Sequence, residues 1–344
     1  MERPAPQLSS IQPHGDRVVI IAEIGGNHNG NHALAKEMIE RAAEAGVDAV
    51  KFQTFVTERF FTRDIPAFPR ARQLGYTTQF DRFNDLEFSE AQIIELAEHA
   101  RKNNVVFLST PFDNSTVDFL DPLVPAFKIA SADMINLQLL RHVASKGKPV
   151  LLSTGQATVE EIDEAVGIFA PGQVSLLHCV SSYPTPDEQA NLLSIPFLRA
   201  RYQLSVGYSD HTIGILACIA AVALGAGIIE KHFTLDKTQN FGDHPLSADP
   251  EDLRLLVDAV RRLEKMRGSE EKSCRNCEEF SKKHLRRSLH AKEDIPAGTI
   301  ISDDMLIPLV SGKGLPANRI DHVVGKRLLR DLKRNEPISD TYFA

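Results

Sequence analysis

Two strand-like runs of the sequence each end in a histidine. VGYSDH ends at His211, and the next apolar run, IIEKH, ends at His232. Two neutral imidazoles that converge from neighbouring strands suit a divalent metal of the Mn²⁺, Mg²⁺, Co²⁺ or Zn²⁺ kind, with positions left open for water and substrate. A histidine at a strand end is also a common structural hydrogen-bonding residue, so the pattern leaves both interpretations open.

Two lysines lie in apolar runs, where burying a charge is costly unless the charge contacts an anion. Lys51 and Lys128 beside short hydroxyl donors would suit a phosphate or a carboxylate, and the alternative is a structural ion pair with Glu23 or Glu230. Polar side chains at the ends of these runs or just beyond them supply the other candidates: Glu23, Gln53, Ser131, Ser153, Ser181, Tyr183, Ser209 and Asp243. The residue types alone indicate a metal-assisted reaction on a phosphorylated or carboxylated small molecule.

These side chains need a scaffold that brings strand ends together. Apolar runs alternate with amphipathic, helix-like segments, and the runs lie at residues 18–25, 49–54, 105–110, 126–131, 149–154, 174–180, 204–210 and 227–233. Eight strands alternating with helices predict an α/β fold, a (β/α)8 TIM barrel, whose strands all end at one mouth. An open doubly wound sheet is disfavoured because no G-x-G-x-x-G follows the first run.

The sequence divides into four predicted segments. Residues 1–16 form an N-terminal extension, and 17–267 form the barrel. Residues 268–284 are polar and charged, which is typical of a linker. Residues 285–344 have short runs and turns rich in Pro, Gly and Asp, which predict a small β-rich domain that is marginal for stability by itself.

Composition excludes some classes of function. The chain has 344 residues, a net charge of −7 and no long apolar stretch, which argues against nucleic-acid and membrane partners. The N-terminus lacks the apolar core of a signal peptide, so a cytoplasmic enzyme is expected. Cys274 and Cys277 form a lone C-x-x-C without the second pair that a structural zinc site would need.

The motifs, in their order along the chain, resemble the sialic acid synthase family, enzymes that condense phosphoenolpyruvate with an N-acylated hexosamine to make nine-carbon nonulosonic acids. The matching stretches of the barrel are AEIGGNHNG (22–30), DAVKFQT (48–54), STPFD (109–113), FKIAS (127–131), LLSTG (151–155), LLHCVSSYPTP (176–186), GYSDHT (207–212), EKHFT (230–234) and GDHPLS (242–247). RRSL (286–289), DIPAGTIISDDML (294–306) and VGKRL (324–328) resemble the family's SAF, or antifreeze-like, domain.

The resemblance implies a role for each matching residue. His211 and His232 would hold a divalent metal, Mn²⁺ or alternatively Mg²⁺ or Co²⁺, with Lys51 near the carboxylate of phosphoenolpyruvate. The rest of that substrate would contact Lys128, Ser131, Ser153, Ser181 and Ser209. The sugar and the reacting centre would face Glu23, Gln53, Tyr183 and Asp243. The place of Glu23 at a strand end beside Lys51 motivates the hypothesis that Glu23 is the general base, with the metal as the alternative group that positions the water. Many bacterial relatives carry Asn at the position of Ser181.

The resemblance also implies a homodimer in which each SAF domain covers the partner's barrel. The chain departs from the bacterial pattern in the SAF loop, where Leu309–Gly314 lacks the arginine that reaches the partner's N-acyl sugar. Lys313 or Arg319 are the candidate substitutes.

N-acetylmannosamine, giving N-acetylneuraminate, is the expected sugar. The alternative is a 2,4-diacetamido-trideoxyhexose, giving legionaminic or pseudaminic acid, with the pocket shaped by residues 55–80. Two more distant alternatives are a synthase for a phosphorylated sugar, of the Kdo 8-phosphate type, and a non-catalytic carbohydrate- or ice-binding protein. The first would need a second phosphate clamp, and the strand ends show no further cluster of arginines. The second is disfavoured by the set His211, His232, Lys51 and Lys128.

Overall fold

The computed structural model describes residues 17–269 and 271–344. Contacts divide the chain into two units, 1–268 and 269–344. The predicted N-terminal extension, 1–16, lies outside the described residues. No helix in the described part of the chain is both long enough and apolar enough to cross a membrane.

The first unit is built around parallel strands. They are β1 (Val19–Glu23), β2 (Ala49–Thr54), β3 (Val106–Pro111), β4 (Phe127–Ile129), β5 (Val150–Ser153), β6 (Val174–Cys179), β7 (Val206–Asp210) and β8 (Ile228–His232). The strand order is β3-β2-β1-β8-β7-β6-β5-β4, so β1 pairs with both β2 and β8 and the sheet is a nearly closed barrel. The predicted (β/α)8 fold is therefore confirmed.

Helices follow or connect the strands. Their bounds are α1 (His32–Ala45), α2 (Thr57–Phe60), α3 (Pro69–Gln73), α4 (Gln79–Leu86), α5 (Glu90–Lys102), α6 (Asn114–Leu120), α7 (Leu137–Ser145), α8 (Val159–Val166), α9 (Ser194–Tyr202), α10 (Leu216–Ala223) and α11 (Pro250–Arg267). Local sequence sets several ends. Ser89 and Thr158 form capping boxes at α5 and α8, and α1 stops at Gly46, whose φ of 95° suits glycine.

Alternation along each strand separates two cores. One set of apolar side chains, including Val19, Ile21 and Leu177, fills the barrel interior. The opposite set, including Ile20, Phe52 and Tyr208, packs in a larger layer between the strands and the surrounding helices. Successive residues point to opposite faces, so each strand contributes to both layers. Nearest the carboxyl ends of the strands, interior positions carry polar side chains.

The second unit begins with α12 (Glu279–His284), which lies inside the predicted linker. Strands β9 (Arg287–Ala291) and β10 (Leu306–Val310) pair antiparallel, and a short helix α13 (Ile320–Val323) follows. The unit has its own small apolar core, formed by Leu289, Ala291, Ile295, Ile301, Leu306, Val323, Leu328, Leu332 and Ile338.

Candidate active site

The carboxyl ends of the strands enclose a pocket of about 330 Å³ inside the barrel mouth. Nearly all of the predicted site residues line it: Glu23, Lys51, Gln53, Lys128, Ser131, Ser153, Tyr183, Ser209, His211, His232 and Asp243. Ser181 is absent from this lining, although its hydroxyl lies beside that of Ser131 next to Gly155. The predicted strand-end residues thus converge in one place.

Four buried charges lie at the bottom of the pocket. Lys51 Nζ lies 2.6 Å from Glu23 Oε2 and 3.9 Å from Glu230 Oε1. Lys128 Nζ lies 3.7 Å from the same Glu230 oxygen. The ion pairs of the structural alternative are therefore present, and both lysines also line the pocket, where an anion could contact them. Two lysines in contact with two carboxylates balance the charge of the pocket without an anionic ligand.

The two carboxyl groups differ in acidity. Burial raises the pKa of Glu23 above its ordinary 4.5, the Lys51 ammonium opposes this shift, and the Glu230 carboxylate adds to it. Burial also raises the pKa of Glu230, but Lys128 and Lys51 outweigh it and lower that pKa to about 2. Glu23 is therefore the carboxyl that is better able to take up a proton near neutral pH.

Hydroxyl groups surround the lysine side chains. Lys128 Nζ donates to Ser153 Oγ at 2.8 Å, and Lys51 Nζ donates to Thr110 Oγ1 at 3.1 Å. Ser209 Oγ donates to Glu230 Oε1 at 3.0 Å. Ammonium groups with adjacent hydroxyls form a donor set that suits a phosphate or a carboxylate.

A glycine keeps one wall of the pocket open. A Cβ at Gly155 would lie 2.4 Å from Ser181 Oγ and 2.7 Å from Ser131 Oγ, closer than real Cβ atoms come to other heavy atoms. The Gly155 backbone N–H donates to Ser131 Oγ at 3.1 Å. The absence of a side chain there lets two serine hydroxyls and a backbone donor lie together.

The two histidines predicted as metal ligands are neighbours, with ring centroids 5.3 Å apart. His211 Nδ1 donates to the Val180 carbonyl at 2.7 Å when protonated there, which leaves Nε2 as a lone-pair donor. His232 Nδ1 is buried without a hydrogen-bond partner and lies 3.7 Å from Asp243 Oδ2. Burial, together with the charge that His211 carries when it is protonated and the charge on Lys51, lowers the pKa of His232 well below its usual value, so its ring is neutral.

This arrangement fits a divalent cation. A neutral imidazole with an orphaned buried nitrogen, beside a second imidazole held in one tautomer, is a suitable ligand pair. In the described residues no group of three or more His, Cys, Asp or Glu side chains is placed to hold a metal. His211 and His232 are the side chains that would hold such a cation, with water and substrate in the remaining positions.

A second pocket of about 490 Å³ adjoins the first. The two share Gln53, Phe68, Gln79, Phe83, Tyr183 and Asp243 among their lining residues. Apart from Gln53, Tyr183 and Asp243, the wall of the second pocket is largely apolar, formed by Phe68, Pro69, Ala71, Leu74, Phe83 and Leu86, with Asn27, Gln79 and Arg82 as polar members. Several of these residues belong to the segment 55–80, and the pocket is large enough for a monosaccharide.

The structure adds a residue that sequence reasoning did not place in the site. Cys179, at the end of β6, lines the first pocket with its Sγ 3.8 Å from His211 Nδ1 and 3.6 Å from Ser131 Oγ. Burial raises the pKa of this thiol, but His211 and Ser131 outweigh it and lower the pKa overall. Its position at a strand end was the available signal, since Ser181, two residues further along the chain, was already a candidate.

Known proteins share this architecture. The NeuB family matches residues 38–272, and the SAF domain matches 286–343. N,N'-diacetyllegionaminic acid synthase of Campylobacter jejuni is 39% identical over 94% of this chain and 99% of its own length. N-acetylneuraminate-9-phosphate synthase of Homo sapiens is 37% identical over 93% of this chain and 91% of its own.

A solved structure agrees with these relatives. The N-acetylneuraminic acid (sialic acid) synthetase of Leptospira borgpetersenii, crystallised with citrate, matches with a TM-score of 0.69 and 38% identity, covering 77% of this chain and 90% of its own. The family and the SAF domain predicted from the motifs are confirmed. The chain therefore belongs to the NeuB family, the family of phosphoenolpyruvate-dependent nonulosonic acid synthases.

Proposed function

We propose that the barrel joins phosphoenolpyruvate to the open-chain aldehyde of an N-acylated, mannosamine-type sugar, giving a nine-carbon nonulosonic acid and inorganic phosphate. One observation carries the proposal. A single pocket holds the two lysines with their hydroxyl partners together with the neighbouring rings of His211 and His232. An anion and a polarised carbonyl oxygen can therefore be held next to each other.

Phosphoenolpyruvate would occupy the lysine side of the pocket. Its phosphate would accept hydrogen bonds from Lys128 and from the serine hydroxyls at positions 131, 153, 181 and 209, and its carboxylate would lie near Lys51. Binding would exchange ion pairs within the chain for ion pairs with the ligand, because both lysines already contact carboxylates. Such an exchange lowers the desolvation cost of binding, since the lysines are already out of water.

His211 and His232 would hold the metal, for which we propose Mn²⁺, with Mg²⁺ and Co²⁺ as alternatives. When bound, the metal would supply Lewis-acid polarisation of the aldehyde oxygen. The orphaned Nδ1 of His232 supports this assignment. Asp243, 3.7 Å from that nitrogen, would contact the sugar or a water at the reacting centre.

The chain's own residues would then carry the proton and charge transfers. C3 of phosphoenolpyruvate attacks the aldehyde carbon and forms the new C–C bond, which leaves positive character at C2. The C=O π electrons of the aldehyde move to its oxygen, which becomes a hydroxyl by taking up one proton of the reacting water. Glu23 removes a proton from water as that water adds to C2, giving a tetrahedral centre with a hydroxyl and the phosphate. As the C2–O bond to the phosphate breaks, the C2 hydroxyl becomes the ketone oxygen and its proton goes to the departing phosphate, whose charge Lys128 and the serine hydroxyls stabilise. Gln53, which donates to Glu23 Oε1 at 3.0 Å, orients the base.

The adjoining pocket favours one sugar. The apolar wall formed by Phe68, Leu74, Phe83 and Leu86 suits the C6 methyl and the second acetamido group of 2,4-diacetamido-2,4,6-trideoxymannose. The product would then be N,N'-diacetyllegionaminic acid. N-acetylmannosamine is the second candidate, because Gln79 and Arg82 in the same wall offer hydrogen bonds to its C4 and C6 hydroxyls.

We also propose that the enzyme works as a homodimer. The SAF domain of one subunit would cover the mouth of the partner's barrel and exclude water that would divert the reaction. The family resemblance supports this arrangement, and Lys313 would take the place of the missing loop arginine.

The test is phosphate release from phosphoenolpyruvate after removal of bound metal with a chelator and addition of Mn²⁺. N-acetylmannosamine and 2,4-diacetamido-2,4,6-trideoxymannose are compared as acceptors, with a sugar-free reaction as the background. Faster release with the diacetamido sugar supports the proposed substrate, and faster release with N-acetylmannosamine selects the second candidate. Absence of sugar-dependent release with both acceptors would contradict the proposed reaction. Full activity without added metal would contradict the proposed role of the metal.

A further inference from the structure

A fully buried ion pair lies directly behind the two histidines. Lys231 Nζ donates to Asp210 Oδ2 at 2.8 Å, and both side chains have zero exposure to solvent. Asp210 and Lys231 are register partners on the adjacent strands β7 and β8. Each one precedes a histidine of the site, so the pair and the histidines alternate along the same two strands.

The surroundings of the pair leave few polar atoms unsatisfied. Asp210 Oδ1 accepts from Tyr208 Oη at 3.0 Å and from the Thr212 backbone N–H at 2.9 Å. Asp210 Oδ2 also accepts from Cys218 Sγ at 3.3 Å, and Lys231 Nζ also donates to the Thr212 carbonyl at 2.6 Å. The network therefore joins β7, β8 and helix α10, which carries Cys218.

Stability alone does not account for this pair. Tyr208 and Cys218 belong to the apolar layer between strands and helices, and an apolar pair of similar volume in such a layer is often as stabilising as a buried ion pair or more so. Unlike an apolar pair, the ion pair makes directional contacts. Its hydrogen bonds fix two strands at one register.

The network fixes the backbone on both sides of His211. Asp210 precedes that histidine, and Thr212, which follows it, is held through both its N–H and its carbonyl. On the next strand, Lys231 precedes His232. The ring separation of 5.3 Å is thus set by two strands that are tied together one residue away from each ring.

We propose that Asp210 and Lys231 are positioning residues that hold His211 and His232 at the separation required to share a divalent cation. This inference deepens the proposed function and rests on it for the metal. The pair touches neither substrate nor the reacting atoms. Its effect is on the geometry of the ligands, in the way that outer groups orient metal-binding histidines in other proteins.

The test uses the full chain with the double substitution Asp210→Asn and Lys231→Met. Asparagine keeps the oxygen that accepts from Tyr208 and Thr212. Methionine is unbranched like lysine and one atom shorter, and it carries no charge, so no unpaired ion is buried. The control is Leu140→Ala, a truncation in the same strand–helix layer but far along the chain from the histidines. For each protein we would measure thermal unfolding, Mn²⁺ affinity by calorimetry, and the separation of the two rings in a metal-free crystal structure.

We expect the double variant to unfold at or above the temperature of the control, yet to bind Mn²⁺ about 10- to 100-fold more weakly than wild type. The control should keep wild-type affinity, and the KM for phosphoenolpyruvate should change little in either protein. In the crystal structure of the double variant the two rings should shift apart or lose a single orientation.

Two results separate the failure of this proposal from failure of the metal site. If the double variant keeps both the ring separation and the Mn²⁺ affinity of wild type, the pair has no positioning role. If wild type itself binds no Mn²⁺, the proposed metal site is wrong, and the ring separation in the variant still decides whether the pair positions the histidines. A loss of affinity in the control as large as in the double variant would also overturn the proposal, because destabilisation would then explain both.

Discussion

Lys51 Nζ lies 2.6 Å from Glu23 Oε2, and the two residues are register partners on β2 and β1, almost completely buried inside the barrel mouth. The contact joins the proposed general base to the cation proposed for the substrate carboxylate. In the proposed complex the substrate carboxylate would offset part of the charge of Lys51, so the Lys51 ammonium would lower the pKa of Glu23 less and Glu23 would be a stronger base. Binding of phosphoenolpyruvate and activation of water would then be coupled through this one ion pair.

Glu23→Gln is expected to lower kcat by about 100-fold or more, the usual contribution of a positioned general base. The amide keeps the size of the side chain but cannot take a proton from water. Phosphate release at saturating substrates measures the effect, and the KM for phosphoenolpyruvate should rise only modestly. Full turnover of this variant with metal bound would show that another group activates the water.

The pH dependence follows from the raised pKa of Glu23. A base acts only when it is ionised, so kcat should fall as the pH decreases through a pKa that is higher than the ordinary 4.5 of a glutamate. Glu230 has a pKa of about 2 and stays ionised throughout that range. A pH–rate profile of Glu23→Gln should lack the acid limb, whereas Glu230→Gln should keep it at lower absolute activity. Retention of the limb in Glu23→Gln would assign it to a different group.

Lys128→Met is expected to reduce kcat/KM for phosphoenolpyruvate by about 10- to 100-fold, the range of a charged hydrogen bond to an anion. The variant removes a buried ammonium that contacts Ser153 and Glu230. Lys148→Met is the matched control, because Lys148 pairs with Asp121 and does not line the pocket. Equal losses in both variants would mean that destabilisation, not substrate contact, causes the effect.

Much of the site could be predicted from sequence because the carboxyl ends of all strands in a barrel lie at the same mouth. The alternation of apolar runs and helices fixed where Glu23, Lys51 and His232 would meet, since every strand delivers its carboxyl end to the same mouth. Distances between side chains could not be predicted in the same way. Whether Lys51 contacts Glu23, Glu230 or a ligand depends on the register of the strands and on the side-chain rotamers. Neither can be predicted from the pattern of a single sequence.

Other features gave weaker signals or none. Helix α12 lies in a polar segment without apolar periodicity, so a linker was predicted where Glu279–His284 are helical. Cys179 resembles any buried cysteine of a strand until its distance to His211 is known. The roles of Asp210 and Lys231 were also hidden, because residues one step from the histidines point to the opposite face of the strands.

Gly155→Ala tests the serine wall of the pocket. The new methyl group would overlap Ser181 Oγ and Ser131 Oγ, so both hydroxyls must move. We expect kcat/KM for phosphoenolpyruvate to fall about 10-fold or more, in line with the loss of charged hydrogen bonds. Gly167→Ala is the control, since its Cβ would meet backbone oxygens only at 3.4 and 3.5 Å, an ordinary contact distance. Unchanged kinetics in Gly155→Ala would place the phosphate away from these serines.

Subunit mixing tests the proposed homodimer. Lys313→Ala should raise the KM for the sugar, while His211→Ala should abolish turnover through loss of metal. If the SAF domain acts on the partner's barrel, the two variants complement each other, because one barrel in a mixed dimer has an intact His211 and faces an intact Lys313. Co-expression with two different tags and purification on both would isolate the mixed dimers.

In a two-fold symmetric dimer, these mixed molecules should show about half of the wild-type rate at a sugar concentration below KM, and either variant alone should show far less. Phosphate release measures both. If the mixed dimers are no faster than expected from the rates of the two variants measured separately, the proposal is contradicted. Lys313 would then contribute within its own chain or not at all. Elution of the wild type as a monomer on size-exclusion chromatography would exclude the arrangement directly.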